Sequence, residues 1–513
     1  MYLLLVNANV ITMNPTLPKA KSIHIRNGKI ASVSAEHTPS LWRCTSSKGV
    51  VLDCQGKTVV PGFIDSHCHL FSYASSLKNL DMGPRHVSSI DDMQNLISKA
   101  ARELPPGTWI MGGGYNEFYL AEKRHPTRWD LDTVSPDHPV RITHRTGYAH
   151  VLNSLALERV GISKETGDPP GGLIDRDITT GEPTGLLYGM GKTLAKFVAV
   201  AQNSQAEEGI RLACQALNEK GITSIHDASA RNDPSRIDLF RSWQKRGDLP
   251  QRVSTVLGWE TFHKINEHGG APQSDDFVRI EGVKIIIHEI TGQLSPSQSE
   301  LNEMVLLIHQ AGYRAVIHAV EEKHIIAACE AIEQAMKLSP AANYRHRIEH
   351  CSVCPPALAK RLASAGIMVV TQPAFVYYNG ERYLRTVPQE DLRHLYPVAT
   401  LLRQGVKVAG SSDFPIVPAN PLIGIYSAVT RKAENGEQLV PEERITPLEA
   451  LSLFTVNAAG AICAESTRGS IQPGKFADLA ILSDDPTGVP EEAIKDIRVD
   501  MTIINGQVTW ERR

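Results

Sequence analysis

The sequence predicts an α/β fold: a (β/α)8 TIM barrel, a small β-sandwich assembled from both chain ends, and an insertion after the first barrel strand. Three observations lead there. Eight short apolar segments that read as strands recur along the middle of the chain, and stretches of helical periodicity separate many of them. The two ends carry short alternating strands broken by Asn-Gly and Gly-Lys turns. Polar side chains fall repeatedly at the C-terminal ends of the candidate barrel strands, where this fold keeps its reactive groups.

At the N-terminus, residues 3–12, 22–34 and 50–60 are alternating or β-branched segments, with a turn at Asn27-Gly28. Residues 470–512 repeat the pattern, with Gly474-Lys475, Ala477-Asp478-Leu-Ala-Ile-Leu482 and Met501-Thr-Ile-Ile-Asn505-Gly506. One composite domain, 1–60 with 466–513, is therefore expected, and a barrel over 61–465. Its candidate strands are 63–67, 222–227, 253–258, 283–288, 315–319, 347–351, 367–372 and 406–411. Helices are expected over 300–311, 323–337, 356–365 and 388–404. A doubly wound open sheet is the alternative, but no Gly-x-Gly-x-x-Gly turn follows any strand.

Between the first two candidate strands lie roughly 150 residues, far beyond the usual βα connection. The stretch holds Gly112-Gly-Gly114, the aromatic residues Tyr115, Phe118 and Tyr119, and a strand over 140–144. An inserted subdomain of about 72–205, set over the barrel mouth and shaping substrate choice, is the expectation.

Composition excludes several partners. At 42% hydrophobic, 21% charged and a net charge of −3, the chain has no basic excess for nucleic acid and no charged tail. Tyr2-Leu-Leu-Leu-Val6 is apolar but lacks a basic flank, so it reads as a strand and not as a signal peptide or membrane span. Eight cysteines are scattered without a disulfide framework, which fits a reducing, cytoplasmic setting. Cys351-x-x-Cys354 has no second pair to complete a tetrahedral zinc site and reads as two thiols near a strand end. A small-molecule substrate is the expected partner, with neither nucleic acid nor membrane; a homodimer stays open.

The chemistry starts at Val59-Val-Pro-Gly-Phe-Ile-Asp-Ser-His67-Cys-His69. Strand residues two apart share a face, so His67 and His69 can converge on one point, and neutral imidazole is the commonest metal-binding side chain. The fourth strand carries Lys284, the fifth ends in Ile317-His318-Ala, the sixth in Arg347-Ile-Glu-His350, and the eighth leads to Ser412-Asp413. Each alone has a bland reading: a hydrogen-bonded core histidine, or an aspartate capping a turn. Five strands delivering such groups at one level is hard to explain as packing.

Pro61-Gly-Phe-Ile-Asp-Ser-His-Cys-His69, Arg347-Ile-Glu-His350, Ser412-Asp413 and Gly474-Lys-Phe-Ala-Asp478-Leu resemble the metal-dependent amidohydrolase superfamily. The nearer resemblance is to its amidohydrolase 3 (YtcJ-like) branch, which includes N-substituted formamide deformylases. Asn153-Ser-Leu-Ala-Leu157, Gly221-Ile-Thr-Ser-Ile-His226-Asp227 and Ile317-His318-Ala share in it, and the likeness covers nearly the full chain. It implies one or two divalent metals with His67, His69, Lys284, His318, His350 and Asp413 as ligands. Zinc suits neutral imidazoles and carboxylates with open positions best, although manganese or iron could take the same site.

Lys284 lies among Val and Ile, where an ammonium is costly to desolvate, so its amine should become neutral and nucleophilic. In the resembling family such a lysine often adds carbon dioxide to give a metal-bridging carbamate; the alternative here is an ion pair with Glu289. Two departures from the family pattern stand out. His288, in strand parity with Lys284 and so a pocket candidate, opens His-Glu-Ile-Thr-Gly-Gln where Asp-Gly-Ser is more usual. Tyr148 stands in Arg145-Thr-Gly-Tyr-Ala-His150 where relatives often have His. His226 ends the second strand and is a candidate for either substrate contact or a structural hydrogen bond to the backbone.

The expected reaction is hydrolysis of a non-peptide amide-type C–N bond, as in an N-formyl or N-acyl amine, by metal-activated hydroxide. Asp413 is the expected general base and acid. The same site could instead open a cyclic imide or lactone or deaminate a ring, and a catalytically silent binding homologue is the remaining class.

Overall fold

The computed structural model describes residues 2–36, 49–169, 171–198, 203–270, 273–290, 293–340 and 345–512. The chain separates into two compact units, Met1–His69 with Cys214–Arg513, and Leu70–Ala213.

The first unit contains a parallel eight-stranded sheet curled into a nearly closed barrel. In chain order its strands are Phe63–Cys68, Ile222–Asp227, Arg252–Gly258, Val278–Ile286, Arg314–Ala319, Arg347–His350, Met368–Thr371 and Val408–Gly410, and each pairs with the next. They are rich in Val, Ile and Thr, which suit strands buried on both faces. The first and last meet beyond their ends. The Asp413 N–H donates to the His67 carbonyl (3.0 Å) and the His69 N–H to the Phe414 carbonyl (3.0 Å). Closure thus brings two ends of the expected site together.

Helices return between strands. Ser297 and Glu300 form a capping box that starts Gln298–Gln310, and Glu322–Leu338 buries Ile325, Ala328 and Ile332 on one face. The expected helix over 388–404 is instead two short ones, Gln389–Leu392 and Val398–Arg403. Pro397 lies between them, without an N–H to continue the ladder, and Tyr396 before it has φ +48°. The fourth strand also differs from expectation, stopping at Ile286. His288 belongs to a short antiparallel hairpin, His288–Ile290 with Gln293–Ser295. Thr291 and Gly292, part of the departure noted above, lie outside the described residues.

Two further sheets are built from the chain ends, the first from N-terminal strands and the second from strands of both termini. One orders Lys29–Ser34, Ser22–Arg26, Tyr2–Val6 and Val50–Asp53; the other Gln507–Glu511, Val499–Ile504, Leu479–Leu482, Thr58–Pro61, Asn9–Ile11 and Lys19–Ala20. Leu5, Ile23 and Ile25 from the first share one core with Val59, Leu479 and Ile503 from the second. Asp478 ties these sheets to the barrel. It accepts from Arg252 Nε at the start of the third barrel strand (2.7 Å) and from the Asn505 N–H (2.8 Å), while the Arg252 guanidinium lies 3.5 Å from the Phe476 ring centroid.

The second unit holds a six-stranded mixed sheet, ordered Leu173–Arg176, Pro183–Tyr188, Ala149–Leu152, Val140–His144, Ile110–Tyr115 and Leu80–Asp81. Asn153 braces it: its amide nitrogen donates to the Ser135 and His138 carbonyls, and its oxygen accepts from the Val140 and Ala156 N–H groups. Among the described residues no helix is long and apolar enough to cross a membrane. Cys351 and Cys354, just past the sixth barrel strand, are buried free thiols.

Candidate metal centre

Ligand-type atoms of His67, His350 and Asp413 all lie within 4.8 Å of one another, and all three residues are buried. His67 Nε2 is 3.5 Å and His69 Nε2 3.1 Å from Asp413 Oδ1. The His67 ring centroid stands 5.3 Å from that of His69 and 4.9 Å from that of His350, and His318 stacks edge-on against His350 at 4.4 Å. Lys284 is 3% exposed, and its Nζ has no hydrogen-bond partner among the described residues. Glu289, its candidate partner, pairs with Lys323 instead.

The histidines are held from behind. His67 Nδ1 bonds Glu349 Oε2. His350 Nδ1 lies 2.8 Å from Gln372 Oε1, and that amide's nitrogen donates to Ser411 Oγ (3.0 Å). The orientation leaves the amide oxygen to accept from His350, so His350 carries its proton on Nδ1 and a lone pair on Nε2. A carboxylate on His67 Nδ1 sets the same tautomer there. His69 Nδ1 meets the Ser229 hydroxyl at 3.0 Å. An outer partner on one imidazole nitrogen with the other left as a lone pair is the usual preparation of a metal-binding histidine.

Charge follows the same design. Burial, reinforced by the Lys284 cation, holds His67 well below the ordinary imidazole range, and burial with His350 and Lys284 does so for His318. Burial alone would raise Asp413, but His67, His69 and His350 outweigh it and leave the carboxyl at about 2. Burial brings the Lys284 amine from 10.5 down to about 8. At neutral pH the pocket therefore presents neutral imidazoles at His67 and His318, an ionised carboxylate and an amine near its titration point. This donor set, with an orphaned buried amine among the imidazoles, fits a divalent cation with nitrogen and oxygen ligands.

Backbone conformation delivers two of these groups. His350 has φ +70° and Asp413 φ +59°, left-handed conformations uncommon for residues other than glycine. Regular alternation would send Glu349 and His350 to opposite faces; the turn at His350 lets both serve one centre. Glu349, Gln372 and Ser229 escaped the sequence reading, although Glu349 was visible beside His350 in the Arg-Ile-Glu-His run. Asp65 escaped it too, despite sharing strand parity with His67. Its carboxylate accepts from Ser412 Oγ (2.6 Å) and the Ser412 N–H (3.2 Å), and burial raises it to about 7 against those bonds.

Three further candidates remain. His226 is buried, and its Nδ1 accepts from Arg347 Nη2 at 3.0 Å, a side-chain bond and not a backbone one. His288 lines a cavity of about 530 Å³ with Trp259, His263, Pro296, Met304 and Leu307. Tyr148 is an exposed residue of the second unit, tilted against Tyr188 with ring centroids 6.2 Å apart.

The profile of the Amidohydrolase family matches residues 50–510. The N-substituted formamide deformylase of Arthrobacter pascens is 29% identical over 542 aligned residues, covering 99% of this chain and 98% of that protein. The putative amidohydrolase YtcJ of Bacillus subtilis (strain 168) is 28% identical, with 98% of each chain covered. An uncharacterized metal-dependent hydrolase from Pyrococcus horikoshii OT3 shares the fold, with a TM-score of 0.78 at 23% identity over 96% of this chain and 99% of that one. A family match of that extent, on a barrel of that topology, settles membership: the chain belongs to the amidohydrolase family.

Proposed function

We propose that this protein is a metal-dependent hydrolase of a non-peptide amide-type C–N bond, with N-formyl or N-acyl amines as the substrate class. The observation that carries the reading is the buried meeting of His67, His350 and Asp413 within 4.8 Å, with His69, His318 and Lys284 around it. The full-length likeness to a protein named N-substituted formamide deformylase supports the choice of bond. The two terminal sheets with their shared core are read as the β-sandwich of this architecture.

His67, His69, His318, His350, Asp413 and Lys284 would hold the metal, for which zinc is the best match. Bound there, a divalent ion would supply water acidified to a pKa of about 7 and Lewis-acid polarisation of the substrate carbonyl. Lys284 would serve as a carbamate: its neutral amine adds to the carbon of carbon dioxide, an N–C bond forms, one proton leaves and an anionic oxygen donor results. Asp413, ionised at neutral pH, accepts the proton of the attacking water and returns it to the leaving nitrogen as the C–N bond breaks. Gln372 and Ser229 keep His350 and His69 oriented through the cycle.

A panel of N-formyl amines, N-acyl amino acids, hydantoins and lactones tests the reading. Turnover is expected with the N-formyl or N-acyl amines. Hydrolysis confined to hydantoins or lactones would move the assignment to another bond on the same site.

A further inference from the structure

Arg347 and Glu349 form a fully buried pair whose charges the proposed reaction does not use. Arg347 Nε lies 2.6 Å from Glu349 Oε1, and Arg347 is fixed by three more groups: the Ser66 carbonyl (3.0 Å), the Ala461 carbonyl (3.0 Å) and His226 Nδ1 (3.0 Å). The other carboxylate oxygen, Oε2, accepts a hydrogen bond from His67 Nδ1–H. Glu349 thus faces two donors at once, and both converge on Oε2, which also accepts from Arg347 Nη2 at 3.3 Å. Of the outer partners of the clustered histidines it is the one carrying charge; His69 has a hydroxyl and His350 a neutral amide.

From this we infer that Glu349, clamped by Arg347, is a positioning residue that fixes His67 as the Nδ1–H tautomer and makes it the strongest histidine donor of the centre. The inference rests on the metal-centre reading above. A carboxylate paired with an imidazole N–H raises the basicity of the far nitrogen, and such outer partners typically govern metal affinity by about 10- to 100-fold. A leucine in place of Glu349 leaves His67 Nδ1 without this acceptor, so nothing on that side fixes the tautomer. A glutamine, with Arg347 replaced by methionine, keeps an amide oxygen for His67 but brings no charge.

The test pairs zinc affinity, measured by chelator competition, with the His67 tautomer, read by ¹⁵N NMR of the metal-free protein. Wild type should bind zinc and show Nδ1–H at His67. E349L should bind about 10- to 100-fold more weakly, with the Nδ1–H population at His67 reduced. R347M/E349Q, in which the amide oxygen is free for His67, should keep the Nδ1–H tautomer and recover part of the affinity. Wild-type affinity with an unchanged tautomer in E349L overturns the inference. If E349L does not fold, wild-type affinity in the double variant, which lacks the lone buried cation, overturns it equally. A wild-type protein that binds no divalent metal would instead refute the metal-centre reading itself.

Discussion

The Asp65 carboxylate, inside the first barrel strand, accepts both the hydroxyl (2.6 Å) and the backbone N–H (3.2 Å) of Ser412, the residue before Asp413. This contact joins the first and last strands where the barrel closes, and it sets the left-handed turn that presents Asp413. Asp65→Ala would leave three buried donors, the third being the His67 N–H, without their acceptor, at about 1–3 kcal/mol each. Urea unfolding should show that loss together with a fall in kcat. Lost stability with kcat unchanged would mean that the contact closes the barrel without placing Asp413.

Asp413→Asn preserves size but removes the proton acceptor. With His67, His69, His318, His350 and Lys284 intact, metal content should stay near wild type while kcat falls by about 10²–10⁴, the usual scale of general acid–base catalysis. Turnover near wild type with metal retained would remove Asp413 from the proton-transfer role.

Lys284 is buried, with its amine brought down to about 8 and no hydrogen-bond partner among the described residues. If it works as a carbamate, activity lost on acid dialysis should return on adding metal only when bicarbonate is also supplied. Lys284→Met should lose activity that bicarbonate cannot restore. Full recovery with metal in carbonate-free buffer would make the lysine a simple charge partner.

A second histidine system, away from the metal centre, gives a pH prediction. The Ala315 N–H donates to His346 Nδ1 (2.9 Å), His346 Nε2–H to His309 Nδ1 (3.0 Å), and His309 Nε2–H to the Ser339 carbonyl (2.6 Å). The chain needs both rings neutral. Burial, with His309 and Arg314 nearby, lowers His346 from 6.5 to about 3. The folded state therefore keeps this ring deprotonated where the unfolded chain protonates it. The contribution is full above about pH 6.5 and falls as the pH drops toward 3, by on the order of 3 kcal/mol at pH 4. Urea unfolding of wild type should lose stability across this window more steeply than that of His346→Gln. Equal slopes would contradict the assignment.

Much of the barrel is readable from residue order because its signals are local. Alternation of strand and helix periods, and histidines at strand ends, place His67 and His69 at the first barrel strand, His318 on the fifth and His350 on the sixth before any coordinates. What escapes is what depends on backbone irregularity or on partners distant in sequence. The break at Ile287 takes His288 out of the parity that linked it to Lys284, and Pro397 divides a helix that periodicity made continuous. Glu349 and Gln372 find their histidines only once the strands are side by side. The positive φ at His350, with no glycine to announce it, has no signature in composition.

The central claim is that these side chains gather to hold a divalent ion. Elemental analysis of protein purified from metal-replete medium tests it most directly, beside a His67→Ala/His350→Ala variant of confirmed fold. One or two equivalents of a divalent transition metal in wild type, lost from the double variant, is the predicted result. Metal-free wild-type protein, or metal retained undiminished without these two histidines, would contradict it.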